Sequence, residues 1–429
     1  MMIHRILKII LISCFFHCSK GLSEDERFDD VGSVILVNVV FRHGDRNPID
    51  PYPNDPYRNL SYWPEGYGQL TALGMDRHYK FGQYIRQRYS HLLPAKYNLK
   101  DVLVRSTDVD RTLMSAQSNL AGMYPPVQSW EPDLRWQPIP VHTEPEAKDS
   151  LLAMKRHCPR YDKEFKKVME SPEILRINKD NEELYNYVAD HAGKPITDPR
   201  DLEYVFSTLY IESSKNLKLP KWTKKVFPDQ MSNLSAFSFS LAAYTKELQR
   251  LKGGPLLGEM VKHMQEKSQG QLSPDRKLFV YSAHDTTVSN LLMTLGVFDP
   301  QRPPYTAAVF LQLHRLSQGQ FAVTILYRND SSREPYPLQL PGCALQCPLQ
   351  QFVALTKPVI PENWEEECGI LPEQLAGQDA ELLKNLTIAA VVNSGILAIL
   401  LVALLVVSIL YIQQKKHIHR YAPLHTDGL

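Results

Sequence analysis

The sequence predicts a layered α/β domain interrupted by a mainly helical cap, with one C-terminal transmembrane helix. Three observations carry that prediction. Short apolar, β-branched runs recur, each followed by a polar loop and an amphipathic stretch of helical length. A Lys-, Glu- and Leu-rich middle lacks such runs, and one long uncharged segment stands near the C-terminus.

Taken in order, Ser33–Phe41 (SVILVNVVF) reads as a buried strand, and Asp101–Val104 and Lys277–Ser282 as short strands ending at polar residues. Helical patterns follow over Thr71–Tyr89, Asp108–Met123 and Thr286–Leu295. The middle contains the amphipathic stretches Cys158–Glu170 and Ser235–Arg250 and reads as a helical insertion. Strand character returns in Ala308–His314 and Phe321–Tyr327, expected as an antiparallel pair at the sheet edge. Pro-rich turns fill Glu334–Pro361, and Leu371–Leu386 is expected to form a polar stalk. The expected α/β core therefore covers about 30–146 and 265–370, with the cap at about 147–264. No internal repeat is visible.

The two ends assign a compartment. His4, Arg5 and Lys8 precede the apolar run Ile9–Phe16, and small residues Ser19 and Gly21 follow, so residues 1–21 read as a signal peptide. Ile388–Ile412 is a 25-residue run without a charge. It is long enough to cross a hydrocarbon core about 30 Å thick with some tilt. Lys415, Lys416 and Arg420 come next, which places the tail 413–429 in the cytosol and 22–387 on the lumenal side. The expected topology is type I.

Composition narrows the function classes. Lys and Arg total 48 against 47 Asp and Glu, a net charge of +1, which excludes nucleic acid as the main partner. At 43% apolar and 22% charged residues, the chain can bury a core and is not globally disordered. Of six cysteines, Cys14 and Cys18 fall in the leader. The remaining four, Cys158, Cys343, Cys347 and Cys368, point to disulfides in an oxidising compartment more than to zinc. N-x-[ST] sequons stand at Asn59, Asn233, Asn329 and Asn385; the last, close to the membrane, is the least expected to be used.

Directly after the first strand comes Arg42-His43-Gly44-Asp45-Arg46-Asn47-Pro48. Two guanidiniums flank a histidine at the carboxyl end of a strand, where open α/β sheets bind ligands. An Arg fork matches phosphate oxygens bidentately, so converging arginines point to such an oxyanion. R-H-G-x-R would arise by chance in a chain of this length on the order of 1 time in 400. Arg105-Ser106-Thr107-Asp108 follows the second strand and Ser282-Ala283-His284-Asp285-Thr286 the third. Either loop alone reads as an N-cap with an incidental Arg or His. Three such loops at one sheet edge read as a site.

These residues resemble the histidine phosphatase superfamily, in its acid phosphatase branch of lysosomal and prostatic enzymes. The resemblance extends through Val104–Asp108, Asp110–Ala116, Trp136–Thr143 (WQPIPVHT), Tyr281–Thr287 (YSAHDTT) and Leu340–Cys347 (LPGCALQC). It implies a histidine-phosphatase fold and hydrolysis of phosphate monoesters without metal or other cofactor. It further implies that His43 takes the phosphoryl group as phosphohistidine, that Arg42, Arg46, Arg105 and His284 hold the phosphate oxygens, and that Asp285 protonates the leaving alcohol. Flanking cations should lower the pKa of His43 and keep its imidazole neutral, while bound phosphate should raise that of Asp285. An acidic optimum follows. The family pattern implies disulfides Cys158–Cys368 and Cys343–Cys347 and a homodimer. A third family disulfide would fall at Ile211 and Ala308, where both cysteines are absent.

The tail carries Tyr421-Ala422-Pro423-Leu424, a Y-x-x-apolar pattern read as a signal for sorting adaptors. The expected location is the lysosomal membrane with the catalytic domain lumenal. Passage through the plasma membrane and release of a secreted form by lumenal cleavage remain open routes. Two other readings compete: a catalytically silent type I receptor or adhesion ectodomain, and an inositol-polyphosphate phosphatase on the same scaffold. The first would lack His43, Arg105 or Asp285, and the second would want extra basic residues lining the cap, such as Lys155 and Arg156. A cytosolic phosphomutase is disfavoured by the leader.

Overall fold

The computed structural model describes residues 32–317, 319–370 and 372–420; within the last range the side chains of 372–386, 389 and 416–420 are not described. The leader at 1–21 and the motif at Tyr421 and Leu424 lie outside the described residues. Residues through Cys368 form one compact unit and those from Gly369 a second.

The first unit is built on one mixed sheet. β1 (Ser33–Arg42) is followed by α1 (Ala72–Arg88), β2 (Val102–Ser106) and α2 (Asp110–Met123). Helices α3 (Pro159–Met169), α4 (Pro172–Asp180), α5 (Glu182–Ala192), α6 (Pro199–Ser214), α7 (Asp229–Leu241), α8 (Lys246–Lys252) and α9 (Gly254–Ser268) come next. The chain then returns through β3 (Leu278–Ala283), α10 (Asp285–Thr294), β4 (Ala308–Arg315), β5 (Phe321–Arg328), β6 (Tyr336–Leu338) and β7 (Cys347–Pro348). The spatial order is β2-β3-β1-β4-β5-β6, with β7 also paired to β5. β2, β3 and β1 are parallel, so Ser106, Ala283 and Arg42 finish at the same edge. β4 and β5 run antiparallel.

The pair β4–β5 is antiparallel as expected, but it is not an edge. β4 lies between β1 and β5, and seven of its eight residues are buried. Polar side chains of the pair are satisfied inside: Gln312 accepts from Thr324 Oγ1 at 2.9 Å and donates to Tyr89 Oη at 2.6 Å. Both faces of the sheet are therefore covered. On one side α1 and α2 pack Phe81, Ile85 and Leu120 against Val37, Val39, Phe41 and Phe310. On the other, α10 contributes Val288 and Leu291, and α9 contributes Leu256, Met260 and Met264, against Leu36, Val40 and Phe279. Thus α9 belongs to a sheet layer, although most of it falls in the segment grouped with the cap.

The remaining helices have their own cores. Tyr185, Val188, Leu202, Val205, Phe206, Leu209 and Met231 enclose Tyr52, which lies on the loop following the Arg42–Pro48 motif. Val168, Ile174, Leu241 and Leu248 form a second cluster. The expected continuous helix over Ser235–Arg250 is broken in two, because Thr245 accepts a hydrogen bond from the Leu248 N–H and starts α8 afresh. Within the expected turns of Glu334–Pro361 lies the short helix Leu349–Thr356.

Cys158 is bonded to Cys368 and Cys343 to Cys347. The first bridge ties residues 210 apart in sequence, anchoring the start of α3 to the end of the first unit. Asn59 and Asn233 are exposed; Asn329 is half-buried, and its Nδ2 donates to Gln301 at 3.2 Å and to Tyr336 at 3.4 Å. The second unit is a helix from Pro372 to Arg420, so the expected stalk has helical backbone. Its segment Ala390–Lys415, 26 residues, is long and apolar enough to cross a membrane.

Candidate active site

The site assembles where three parallel strands end together. The residues after β1 are pinned by backbone groups from its neighbours: Arg42 N donates to Ala307 O at 2.9 Å and His43 N to Ala283 O at 3.0 Å. Gly44 N donates to Ser115 Oγ on α2 at 3.1 Å. The buried His78 of α1 donates from Nε2 to Arg42 O at 3.1 Å. Gly44 is needed for contact: a Cβ there would lie 2.5 Å from Gly74 O at the start of α1. The motif loop is thus held before any ligand arrives.

His43 is 2% exposed. Its Nδ1 lies 2.8 Å from Gly44 O. A carbonyl can only accept, so Nδ1 carries the proton and Nε2 keeps the lone pair. Burial, and then the charges of Arg42, Arg111, His284 and Arg46, hold its pKa well below the usual value. The ring is thereby biased toward its neutral form.

Arg42 is fixed from three sides. It donates to Pro303 O, pairs with Asp285 Oδ2 at 2.8 Å, and lies 4.2 Å above the Tyr305 ring. Arg46 is buried, and its Nη1 donates to Asn47 O at 3.1 Å. Arg46 and Arg111 each retain a buried Nε without a partner.

His284 is held by a hydroxyl chain. Thr112 Oγ1 donates to Val109 O at 2.7 Å, so it accepts from Thr107 Oγ1 at 2.7 Å; Thr107 in turn accepts from His284 Nε2 at 3.0 Å. The other nitrogen, Nδ1, then accepts from Arg111 Nη2 at 3.5 Å. Burial first, then the Arg111 charge, push the His284 pKa down to about 3. Burial alone would raise the carboxyl of Asp285, but the charges of Arg42, Arg46 and His284 and the Thr286 N–H outweigh it and hold it below its ordinary value.

One expectation needs correction. Arg105 does not join this cluster. Along β2 side chains alternate between faces, and Arg105 stands opposite Tyr281 in register. There it pairs with Glu144 at 2.9 Å and approaches Asp149 and Glu259 at 3.9 Å each. Glu259 also accepts from Tyr281 Oη at 2.8 Å. The third guanidinium beside the histidines is Arg111, whose charge acts on both His43 and His284. A signal for it was present: Arg111 is the second residue of α2, and the helix after a parallel strand begins at the strand's carboxyl end. Ser115 and His78, which support the loop, carry no comparable signal.

Arginines, a neutral histidine with its free nitrogen on the ε position, and a carboxyl paired to one of the arginines make a site for phosphoryl transfer. The comparisons agree. The profile of the histidine phosphatase superfamily (branch 2) matches residues 33–328. The lysosomal acid phosphatase of Rattus norvegicus is 41% identical over 381 residues, covering 87% of this chain and 88% of its own. The prostatic acid phosphatase of Homo sapiens is 43% identical over 341 residues, covering 78% and 87%. Among solved structures, the phytase of Citrobacter braakii superposes with a TM-score of 0.60 at 17% identity, covering 78% of this chain and 99% of its own. That likeness shows the fold. On the profile match and the identity to these relatives, the chain belongs to branch 2 of the histidine phosphatase superfamily.

Proposed function

We propose that this chain hydrolyses phosphate monoesters in acid, without metal, through a phosphohistidine on His43. Relatives about 40% identical over most of the chain are acid phosphatases, which makes the chain an acid phosphatase and disfavours both the silent ectodomain and the inositol-polyphosphate reading. The observation that carries the mechanism is the Nδ1 contact of His43 with Gly44 O, which leaves Nε2 as the nucleophile.

In the first step the Nε2 lone pair attacks phosphorus, the P–O ester bond breaks, and Asp285 gives its proton to the departing oxygen. Arg42, Arg46 and Arg111 hold the equatorial oxygens as charge spreads over them. His284 joins by donating from Nδ1, which requires a second proton; the bound anion supplies the field that favours it. In the second step water attacks the phosphohistidine, Asp285 takes the water's proton, and phosphate leaves with His43 restored. The phosphate charge also pulls Arg42 from Asp285 and raises the carboxyl toward the protonated form. Activity therefore falls as pH rises and this proton is lost.

The lysosomal relatives and the apolar C-terminal helix support a lysosomal membrane protein with its catalytic domain in the lumen. Homodimerisation, adaptor sorting through Tyr421 and Leu424, and glycosylation at Asn59 and Asn233 belong to the same proposal, as does a cap over the site between about 147 and 264. Secreted residues 22–387 should hydrolyse an aryl phosphate with chelator present, fastest in acid. Activity confined to neutral pH, or abolished by chelator, would refute the reading.

A further inference from the structure

Arg42 owes two of its three contacts to one short loop, residues 301–306. Pro303 supplies the carbonyl and Tyr305 the ring face, and Thr306 N donates to His43 O at 3.3 Å. This loop is not supported by the sheet alone. Arg302 leaves it toward α6 and pairs with Glu203 at 3.2 Å, both side chains being mostly buried (16% and 22% exposed). Its guanidinium also lies 4.5 Å from the ring of Phe206 and 5.0 Å from that of Tyr210. Glu203, Phe206 and Tyr210 are spaced at three and four residues, so they line one face of α6. One arginine thereby covers two turns of a helix distant in sequence from the catalytic strands.

We propose that Glu203 and Arg302 form a brace through which α6 positions the catalytic guanidinium of Arg42. Neither residue is placed in the reaction: Arg302 acts on the neighbouring Pro303 and Tyr305, and these act on Arg42. Three features support the brace. The backbone path from Arg302 to Pro303 is a single peptide bond, so a displacement of Arg302 moves the carbonyl that Arg42 contacts. The stacked, paired guanidinium is a pre-organised fork with little freedom to lose. Glu203 is also close enough to the site for the charges of Asp285 and Arg46 to act on it. Burial raises its carboxyl, with Arg302 opposing; the contact survives either protonation state, because a neutral carboxyl oxygen still accepts from Arg302.

The inference rests on the assignment of Arg42 to phosphate binding, and the test separates the two. Steady-state hydrolysis of an aryl phosphate, competitive inhibition by inorganic phosphate and thermal melting are measured for the parent, Arg302→Met, Glu203→Leu and the double variant. Arg302→Lys and Glu203→Gln serve as conservative controls, and His43→Ala as the blank. Mispositioning a binding group should raise KM and the phosphate inhibition constant about 10-fold with kcat changed far less. All three disrupted proteins should show this rise, with the double variant no worse than the singles, while both controls stay near the parent. Replacing both partners by apolar groups relieves the stranded charge. The double variant should therefore melt near the parent yet keep the raised KM. A double variant whose KM returns with its melting temperature would overturn the brace and leave a purely structural pair. Unchanged KM in Glu203→Leu would overturn it as well, even if Arg302→Met failed to fold. A parent no more active than His43→Ala would overturn the brace together with the mechanism beneath it; an active parent with indifferent variants would overturn the brace alone.

Discussion

Two neighbouring regions of the molecule use the same residue types in opposite proportions. In the crevice beyond β1, three arginines (Arg42, Arg46 and Arg111) surround two histidines with Asp285 as the paired carboxylate. On the other face of β2, Arg105 stands among Glu144, Asp149 and Glu259. The first carries surplus positive charge and depresses His43, His284 and Asp285. The second is already compensated and has no charge to offer an anion. An arginine's function is set by the carboxylates around it, and a sequence motif does not display those.

A third region extends the contrast to two carboxyls that act on each other. Glu212 on α6 is fully buried, and Asp55, on the loop after the motif, is 6% exposed. Burial, and then Asp55 itself, raise the Glu212 carboxyl, the reverse of what Arg42 and Arg46 do to Asp285. Each of the two carboxyls acts on the other. Burial raises both carboxyls, and the neighbouring charges decide the net direction.

The contrast can be broken in four places. The largest effect falls on the proposed nucleophile: His43→Ala should lose activity by at least about 10³-fold, and substantial residual turnover of an aryl phosphate would show another nucleophile at work. Next comes the exchange of arginines. Arg111→Met should lower kcat/KM by about 10²-fold and Arg105→Met by less than about 5-fold; the reverse order would return the phosphate to Arg105. Asp285→Asn should depend on the leaving group, slowing an alkyl phosphate far more than a nitrophenyl phosphate, whose alcohol needs little protonation. Equal losses on both would assign Asp285 to holding Arg42.

The smallest effect concerns stability and pH. With its carboxyl raised in the folded state, Glu212 keeps a proton that the unfolded chain releases above the ordinary carboxyl range. The native state then binds more protons, so stability is full in acid and falls as pH rises toward neutral. Glu212→Gln should flatten this fall in melting temperature between acid and neutral pH, and parallel curves would deny the raised carboxyl its role.

What the sequence made legible follows from locality. The parallel strands, their helices and the loops after β1 and β3 are each coded within a few residues, by β-branched runs and by R-H-G-x-R and H-D at strand ends. The misreadings are tertiary. The pair β4–β5, expected at an edge, lies inside the sheet, where Thr324 donates to Gln312 and Gln312 to Tyr89, pairings that no local pattern displays. Arg105 and Arg111 are six residues apart and alike in sequence; only strand alternation and the first turn of α2 tell which one faces the histidines. Supports such as His78 and Ser115 are visible only once the loop they hold is in place.

The central claim is covalent, and it can be read directly. A protein of residues 22–387 would be mixed with an aryl phosphate in acid, quenched in denaturing alkali where phosphohistidine survives, and digested for mass spectrometry. The account predicts a phosphoryl adduct on the peptide containing His43, accumulating further in Asp285→Asn with a nitrophenyl substrate because water attack loses its base. A phosphoryl group on any other residue, or turnover with no adduct in either protein, would contradict it.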